Sequence, residues 1–366
     1  MNKRMNSLMN WLKEINLELA FINTPENVFY LTGFETEPHE RLMGIWLLRD
    51  EEPIFIVPKM EVSQVHASGF CGEIIGYEDH EDPWELLQNA FVKRGLTSIQ
   101  KTGLEKDYIT LSRVEQIQKL FPEVDFVTID QKLHELRSIK DEKEIEIIAE
   151  ASKFADYGVE VGIHALKKGC TELEVLAKIE YELKKKGIRE MSFSTMVLFG
   201  ENSGNPHGIP GEQTLNEGNF VLFDLGVKLN GYCSDITRTV VFKEVSEKQE
   251  EMYNTVLMAQ LQAIEESKPG VRIGYIDETA RSVITNAGYG EFFPHRLGHG
   301  LGINVHEYPS INKNNDCLLE EGMVFTIEPG IYVPKIGGVR IEDDVVITKQ
   351  GPNILTKFPK ELYIKS

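Results

Sequence analysis

The stretch NFVLFDLGVKLNGYCSDITRTVVF, residues 219–242, carries two runs of β-favouring residues on either side of Asn230-Gly231. Asn-Gly is a strong signal for a two-residue type I′ hairpin turn, in which both central residues take positive φ. With that turn, Leu229 faces Tyr232, Asp224 faces Thr237 and Asp235 faces Gly226. Side chains alternate with period two, so Asp224, Gly226, Asp235 and Thr237 share one face. The two carboxylates become diagonal neighbours about 7 Å apart at the backbone, with Gly226 leaving space between them. Two converging acids in a hairpin of Phe, Val, Leu and Ile are costly unless a cation neutralises them. The competing reading is a pair of solvent-exposed strand acids.

A second pair of acids weighs against that bland reading. The segments MVFTIEPGIYVP (323–334) and GVRIEDDVVIT (338–348) are again strand-like and place Glu328 and Glu342 among apolar neighbours. Asp343 and Asp344 are expected to face solvent or to support a neighbouring carboxylate. Arg340 lies two positions before Glu342, so alternation puts both on one face, where a guanidinium can orient a carboxylate. Between these elements, HRLGHGLGINVHEYPSI (295–311) packs in three histidines. His295 and His299 have the i, i+4 spacing of a helical zinc motif, but Gly298, Gly300 and Gly302 each cost about 1 kcal/mol inside a helix. The segment is therefore read as non-helical, with the glycines allowing a close backbone turn around His299.

The chain has 366 residues, and two domains are the natural expectation at that length. Asp and Glu outnumber Lys and Arg by 58 to 39, a net charge of -19 with no basic block, which disfavours nucleic acid and anionic membranes as partners. Cys71, Cys170, Cys233 and Cys317 are scattered, and no leader-like segment or membrane-length apolar run is evident. A reducing, cytoplasmic setting is expected.

The first third alternates strand-like and helix-like pieces: a helix over 6–16, a strand in 17–23, a hairpin of 43–50 with 53–58, strands at 73–77, 102–105 and 124–129, and helices near 83–94 and 110–120. That rhythm predicts an α/β sandwich. From Ser138 the texture changes. Ser138 with Asp141 reads as a capping box opening a helix to about Lys168, Thr171 with Glu174 opens a second, and Ser246 with Gln249 a third ending before Pro269-Gly270. The boundary falls near 133–139, giving domains 1–134 and 135–366.

Asp224 and Asp235 eleven apart, the HRLGHGLG and HE elements, IEPG at 327–330 and RIED at 340–343 resemble, in order and spacing, the pita-bread dinuclear metallopeptidases. Within that family the sequence is most similar to Xaa-Pro dipeptidases (prolidases) and Xaa-Pro aminopeptidases, and NVFYLTGF at 27–34 resembles their creatinase-type N-terminal domain. The resemblance implies an α+β chain, with a C-terminal pita-bread fold behind a smaller N-terminal α/β domain. It implies two divalent ions held by Asp224, Asp235, His299, Glu328 and Glu342, with Asp235 and Glu342 bridging. Four carboxylates balance two divalent cations, and one imidazole among carboxylates is a hard ligand set favouring manganese, or cobalt, over a thiolate-type zinc site. The expected chemistry is attack by a bridging water on a small peptide, with Glu328 moving its proton to the leaving nitrogen.

The resemblance also implies that His207, in SGNPHG, and His306, in VHE, contact substrate and the tetrahedral intermediate. His295 fits either substrate contact or core hydrogen bonding. Arg296 with Ser310, and the loop TEPHER at 36–41, resemble prolidases of lactic acid bacteria, in which that loop reaches the partner subunit's active site. Glu37, His39, Glu40 and Arg41 are thereby candidate contacts in a homodimer, and Arg296 and Arg340 are the cations to test for binding the substrate carboxylate. An aminopeptidase acting on longer peptides, a metal-free creatinase-type hydrolase and a non-catalytic pita-bread binding protein are the alternative readings. A phosphate-cradling role for GHGLG lacks the strand-to-helix context it would need.

Overall fold

The computed structural model describes residues 3–366. The chain divides into two compact units, one ending at Arg137 and the other running from Ser138 to Ser366. Among the described residues no helix is long and apolar enough to cross a membrane.

The first unit alternates helices and strands, as its sequence rhythm predicts. In chain order these are α1 (Lys3–Glu14), β1 (Leu19–Ile22), α2 (Pro25–Thr32), β2 (Gly44–Leu48), β3 (Ile54–Pro58), α3 (Val62–Ala67), β4 (Glu73–Tyr77), α4 (Pro83–Lys93), β5 (Lys101–Leu104), α5 (Leu111–Leu120), β6 (Asp125–Thr128) and α6 (Asp130–Ser138). They build one six-stranded sheet in the order β4-β3-β2-β1-β5-β6. The predicted hairpin is the antiparallel pair β2–β3. Its core joins sheet to helices through Phe21, Trp46, Ile56, Leu87, Phe91 and Ile117. The stretch NVFYLTGF lies largely in α2, which is capped by Thr24, begins with Pro25 and stops at Gly33, whose φ of 74° is a left-handed value that glycine adopts freely.

In the second unit the helices are α7 (Glu142–Ala165), α8 (Glu172–Lys185), α9 (Glu247–Glu266) and α10 (Ile273–Asn286). The capping boxes of α8 and α9 fall where the sequence predicts them. The opening of α7 differs from expectation: the cap is Asp141 with Glu144, whereas Ser138 ends α6. Residues 139–140 are drawn out of helical geometry, because Ile139 bridges Met323 and Lys140 N donates to Gly322 O at 2.9 Å. The helix α10 was not anticipated from sequence.

The strands of this unit are β7 (Glu190–Met191), β8 (Met196–Phe199), β9 (Phe220–Leu225), β10 (Val227–Leu229), β11 (Tyr232–Cys233), β12 (Ile236–Phe242), β13 (Gly298–Gly300), β14 (Glu307–Ile311), β15 (Val324–Ile327), β16 (Gly330–Val333), β17 (Gly337–Arg340), β18 (Asp343–Thr348), β19 (Gly351–Ile354) and β20 (Ile364–Lys365). Two larger sheets run β20-β12-β9-β8 and β14-β13-β15-β18-β19. Residues of α7 and α8 pack with the first around Val159, Ile179, Phe223 and Ile236. Residues of α9 and α10 pack with the second around Val256, Ile276, Phe325 and Val345. Helices thus bury apolar residues of both sheets.

Candidate metal centre

The hairpin on which the sequence reading rests is present. Asn230 and Gly231 have φ of 48° and 84°, both positive, as a type I′ turn requires. Leu229 pairs with Tyr232 and Asp224 with Thr237, the predicted register. The ladder opens between β9–β12 and β10–β11, where Gly226 and Asp235 sit. A Cβ at Gly226 would lie 1.8 Å from Ser234 O, so backbone occupies the space a side chain would need. The Asp235 N–H leaves the ladder and donates to Asp344 Oδ2 at 3.0 Å. The second hairpin repeats the device. Ladder β15–β18 pairs Ile327 with Asp343, ladder β16–β17 pairs Gly330 with Arg340, and Glu328 and Glu342 lie in the interruption between them. Strand breaks in both hairpins turn acids inward.

The segment 295–311 is a β-hairpin, as the helix penalty of its glycines implies. His299 pairs with Ser310, with a register shift after it. The glycines around His299 serve close strand contact, not the backbone turn expected: a Cβ at Gly298 would be 1.9 Å from Thr326 O, and one at Gly300 2.2 Å from Tyr308 O.

These elements bring Asp224, Asp235, His299, Glu328 and Glu342 to one cavity of about 550 Å³, together with His207, His295, Arg296, His306 and Arg340. Asp235, His299 and Glu342 place ligand atoms within 4.8 Å of one another. His299 Nε2 is 3.4 Å from Glu328 Oε1 and 3.8 Å from Asp235 Oδ2. Thr237 Oγ1 donates to Glu342 Oε2 at 2.7 Å and accepts from Arg340 Nε at 3.0 Å. Arg340 also donates to Tyr332 OH at 2.7 Å and to Asp224 Oδ2. The pair of exposed strand acids is excluded, since Asp224 and Asp235 are buried.

The electrostatics of this cluster are unbalanced. Burial raises the carboxyl of Asp224, and it drives Asp235 and Glu342 well above the usual range, helped by the neighbouring acids. Burial also pushes Glu328 up to about 7, against the opposing pull of Arg340. Burial takes the His299 imidazole down to about 3, which keeps it neutral and able to ligate. Among the described residues Asp224 Oδ1 and Asp235 Oδ1 are buried with no hydrogen-bond partner. Such orphaned acceptors are costly. Arg340 supplies one positive charge against four carboxylates, so the donor set fits a pair of divalent cations.

The remaining candidates divide clearly. His207 and His306 are exposed residues on the cavity lining, and the His306 ring stands edge-on to His299 with centroids 4.2 Å apart. His295 has both ring nitrogens engaged, Nδ1 with Arg296 O at 2.8 Å and Nε2 with Tyr332 OH at 2.9 Å. Among the described residues Arg296 makes one side-chain hydrogen bond, to Ser310 Oγ at 3.3 Å. His39 belongs to the first unit, exposed in the loop after α2 with φ of 53°, where it lines a groove with Arg41, Asp79 and Arg113. Asp343 and Asp344 do not face solvent: both are fully buried. The sequence reading missed Tyr332, Thr237 as a bridge, and Phe193 and Met196 on the cavity wall. Thr237 was detectable as the register partner of Asp224; the others carry no signal in sequence.

Known proteins match this chain over nearly its whole length. Residues 146–349 match Metallopeptidase family M24, and residues 4–139 match the Creatinase/Prolidase N-terminal domain. The chain is 61% identical to the "Putative dipeptidase YkvY" of Bacillus subtilis (strain 168) over 361 residues, 99% of each chain. The solved prolidase from Pyrococcus horikoshii OT3 superposes with a TM-score of 0.90 at 35% identity, covering 99% of this chain and 100% of that one. The X-Pro aminopeptidase from Thermotoga maritima MSB8 superposes at 0.88 with 31% identity, covering 99% and 100%. A buried acid-rich centre within the second unit, in a chain matched along nearly its whole length, has one consistent reading: the chain belongs to metallopeptidase family M24, with a creatinase/prolidase-type N-terminal domain.

Proposed function

We propose that this enzyme is a cytoplasmic Xaa-Pro dipeptidase with two divalent ions, manganese by preference, held by Asp224, Asp235, His299, Glu328 and Glu342. The observation that carries the metal reading is the convergence of four carboxylates, three of them buried, with Arg340 paired to Asp224 and two carboxylate oxygens left unpartnered among the described residues. Two divalent ions in such a site supply a water acidic enough to attack near neutral pH and polarise the scissile carbonyl. Glu328 takes a proton from the attacking water and delivers it to the leaving nitrogen. A prolyl nitrogen is a tertiary amide without N–H, so it must be protonated to leave well. His207 and His306, on the cavity lining, hold the substrate and the developing tetrahedral oxygen.

The dipeptidase assignment rests on what can receive a C-terminal carboxylate beside the centre. Arg340 spends its donors on Thr237, Tyr332, Asp224 and Pro206 O. Arg296 keeps most of its fork unspent, and Ser310 steadies one arm. Guanidinium binds carboxylate in a bidentate fashion, so Arg296 is the receptor and Arg340 orients Asp224. His295, tied at both nitrogens, sets the position of Tyr332 and Arg296. All four cysteines are free, in keeping with a reducing compartment. A homodimer in which His39 contacts the partner subunit's substrate remains part of the reading, on the resemblance of its loop to lactic acid bacterial prolidases.

The deciding experiment compares an Xaa-Pro dipeptide with an Xaa-Pro-Xaa tripeptide on manganese-loaded protein. Preferred turnover of the dipeptide is expected. Clear preference for the tripeptide makes the enzyme an aminopeptidase.

A further inference from the structure

Immediately behind the candidate centre lies a second buried charge cluster. Asp343 follows Glu342 in the chain, and its fully buried carboxylate receives four donors: Arg238 Nη2 at 2.7 Å, Thr356 Oγ1 at 2.7 Å, Gln260 Nε2 at 2.6 Å and Lys360 Nζ at 2.6 Å. Arg238, itself 1% exposed, donates onward to Thr237 O at 3.0 Å and Glu342 O at 2.6 Å. It also holds Phe358 O and Pro359 O of the C-terminal segment. That segment is fastened along its length: Leu355 N donates to Asp344 O at 2.8 Å, Tyr253 OH donates to Lys360 O at 2.8 Å, and β20 pairs in parallel with β12.

Arg238 and Asp343 form a buried ion pair, which is costly to break from one side, and Lys360 completes it from the partly exposed C-terminal segment. Asp156 and Asp344 are the acids beside these charges, and the metal centre is reached through the backbone of Thr237 and Glu342, to which Arg238 donates. We propose that the C-terminal strap, acting through Lys360, Asp343 and Arg238, is a positioning device for the metal centre: it fixes the backbone carrying Glu342. Lys360 touches neither substrate nor reacting atoms. The inference rests on the metal reading given above.

The test is equilibrium binding of Mn2+ to chelator-stripped full-length protein by dye competition, with the visible spectrum of the Co2+ form as a second readout. Lys360→Met is expected to weaken binding by about tenfold and to shift the Co2+ bands, and Lys360→Arg to restore both. Thr356→Val, which removes a neutral donor to Asp343, is expected to weaken binding by about two- to threefold and serves if the first variant misfolds. Wild-type affinity and spectrum in both Lys360→Met and Thr356→Val, or in Thr356→Val alone if Lys360→Met does not fold, would overturn the proposal. Failure of the wild type to bind Mn2+ would instead overturn the metal reading itself.

Discussion

The hydroxyl of Thr237 stands between Glu342, to which it donates at 2.7 Å, and Arg340, from which it accepts at 3.0 Å. One hydroxyl thereby fixes the Glu342 carboxylate and a guanidinium that holds Asp224. Thr237→Val keeps shape and burial but removes both bonds. The fold should survive, while Mn2+ affinity drops by roughly 10- to 100-fold. Metal titration of the variant checks this, and unchanged affinity would contradict a supporting role for Thr237.

Arg296→Met removes the proposed carboxylate receptor. Loss of charge-assisted hydrogen bonds worth about 2–3 kcal/mol lowers kcat/KM for an Xaa-Pro dipeptide by roughly 30- to 150-fold. A tripeptide, whose carboxylate lies one residue further on, should lose less than about tenfold. Steady-state kinetics on both substrates decide the point, since equal losses would place the carboxylate elsewhere.

The metal-free protein should become less stable as pH rises. Burial raises all four carboxyls, Glu328 to about 7, above their unfolded values of about 4. Across that interval the folded state retains protons that the unfolded chain has released. For Glu328 the associated stability is fully present below about pH 4 and is lost as pH rises through about 7; for Asp224, Asp235 and Glu342 it is lost as pH rises through their own raised values. Divalent ions bind the deprotonated groups and reverse the trend. Melting curves of chelator-treated and Mn2+-loaded protein at about pH 5.5 and 8 should therefore diverge most at the higher pH. Equal metal-induced shifts at both would argue against coupled titration of this cluster.

Gly226→Ala should be costly, although alanine is the smallest addition available. The new Cβ would meet Ser234 O at 1.8 Å, which forces backbone to move beside Asp235. Overpacking of this kind costs about 3 kcal/mol and lowers Tm by on the order of 10 °C. Calorimetry checks the loss, and a near-native Tm would mean that the interrupted ladder is more pliable than its contacts indicate.

The hairpin register was legible because Asn230-Gly231 permits essentially one turn, and once the turn is placed, period-two alternation assigns every face, including the pairing of Asp224 with Thr237. The non-helical character of 295–311 followed from backbone entropy alone, and capping chemistry located α8 and α9. These are local constraints, and sequence carries them. What closed the centre is nonlocal. The breaks that turn Glu328 and Glu342 inward, the seating of His299 against Thr326, 27 residues away, and the commitment of Arg340 to Asp224, 116 residues away, depend on which strands meet. The same limit explains Asp343 and Asp344: alternation says that neighbouring acids face opposite ways, but only packing shows that both ways are buried. Sequence determined which residues could make a metal centre and on which faces they lie; tertiary structure decided their charge balance, because burial and partnership belong to the assembled chain.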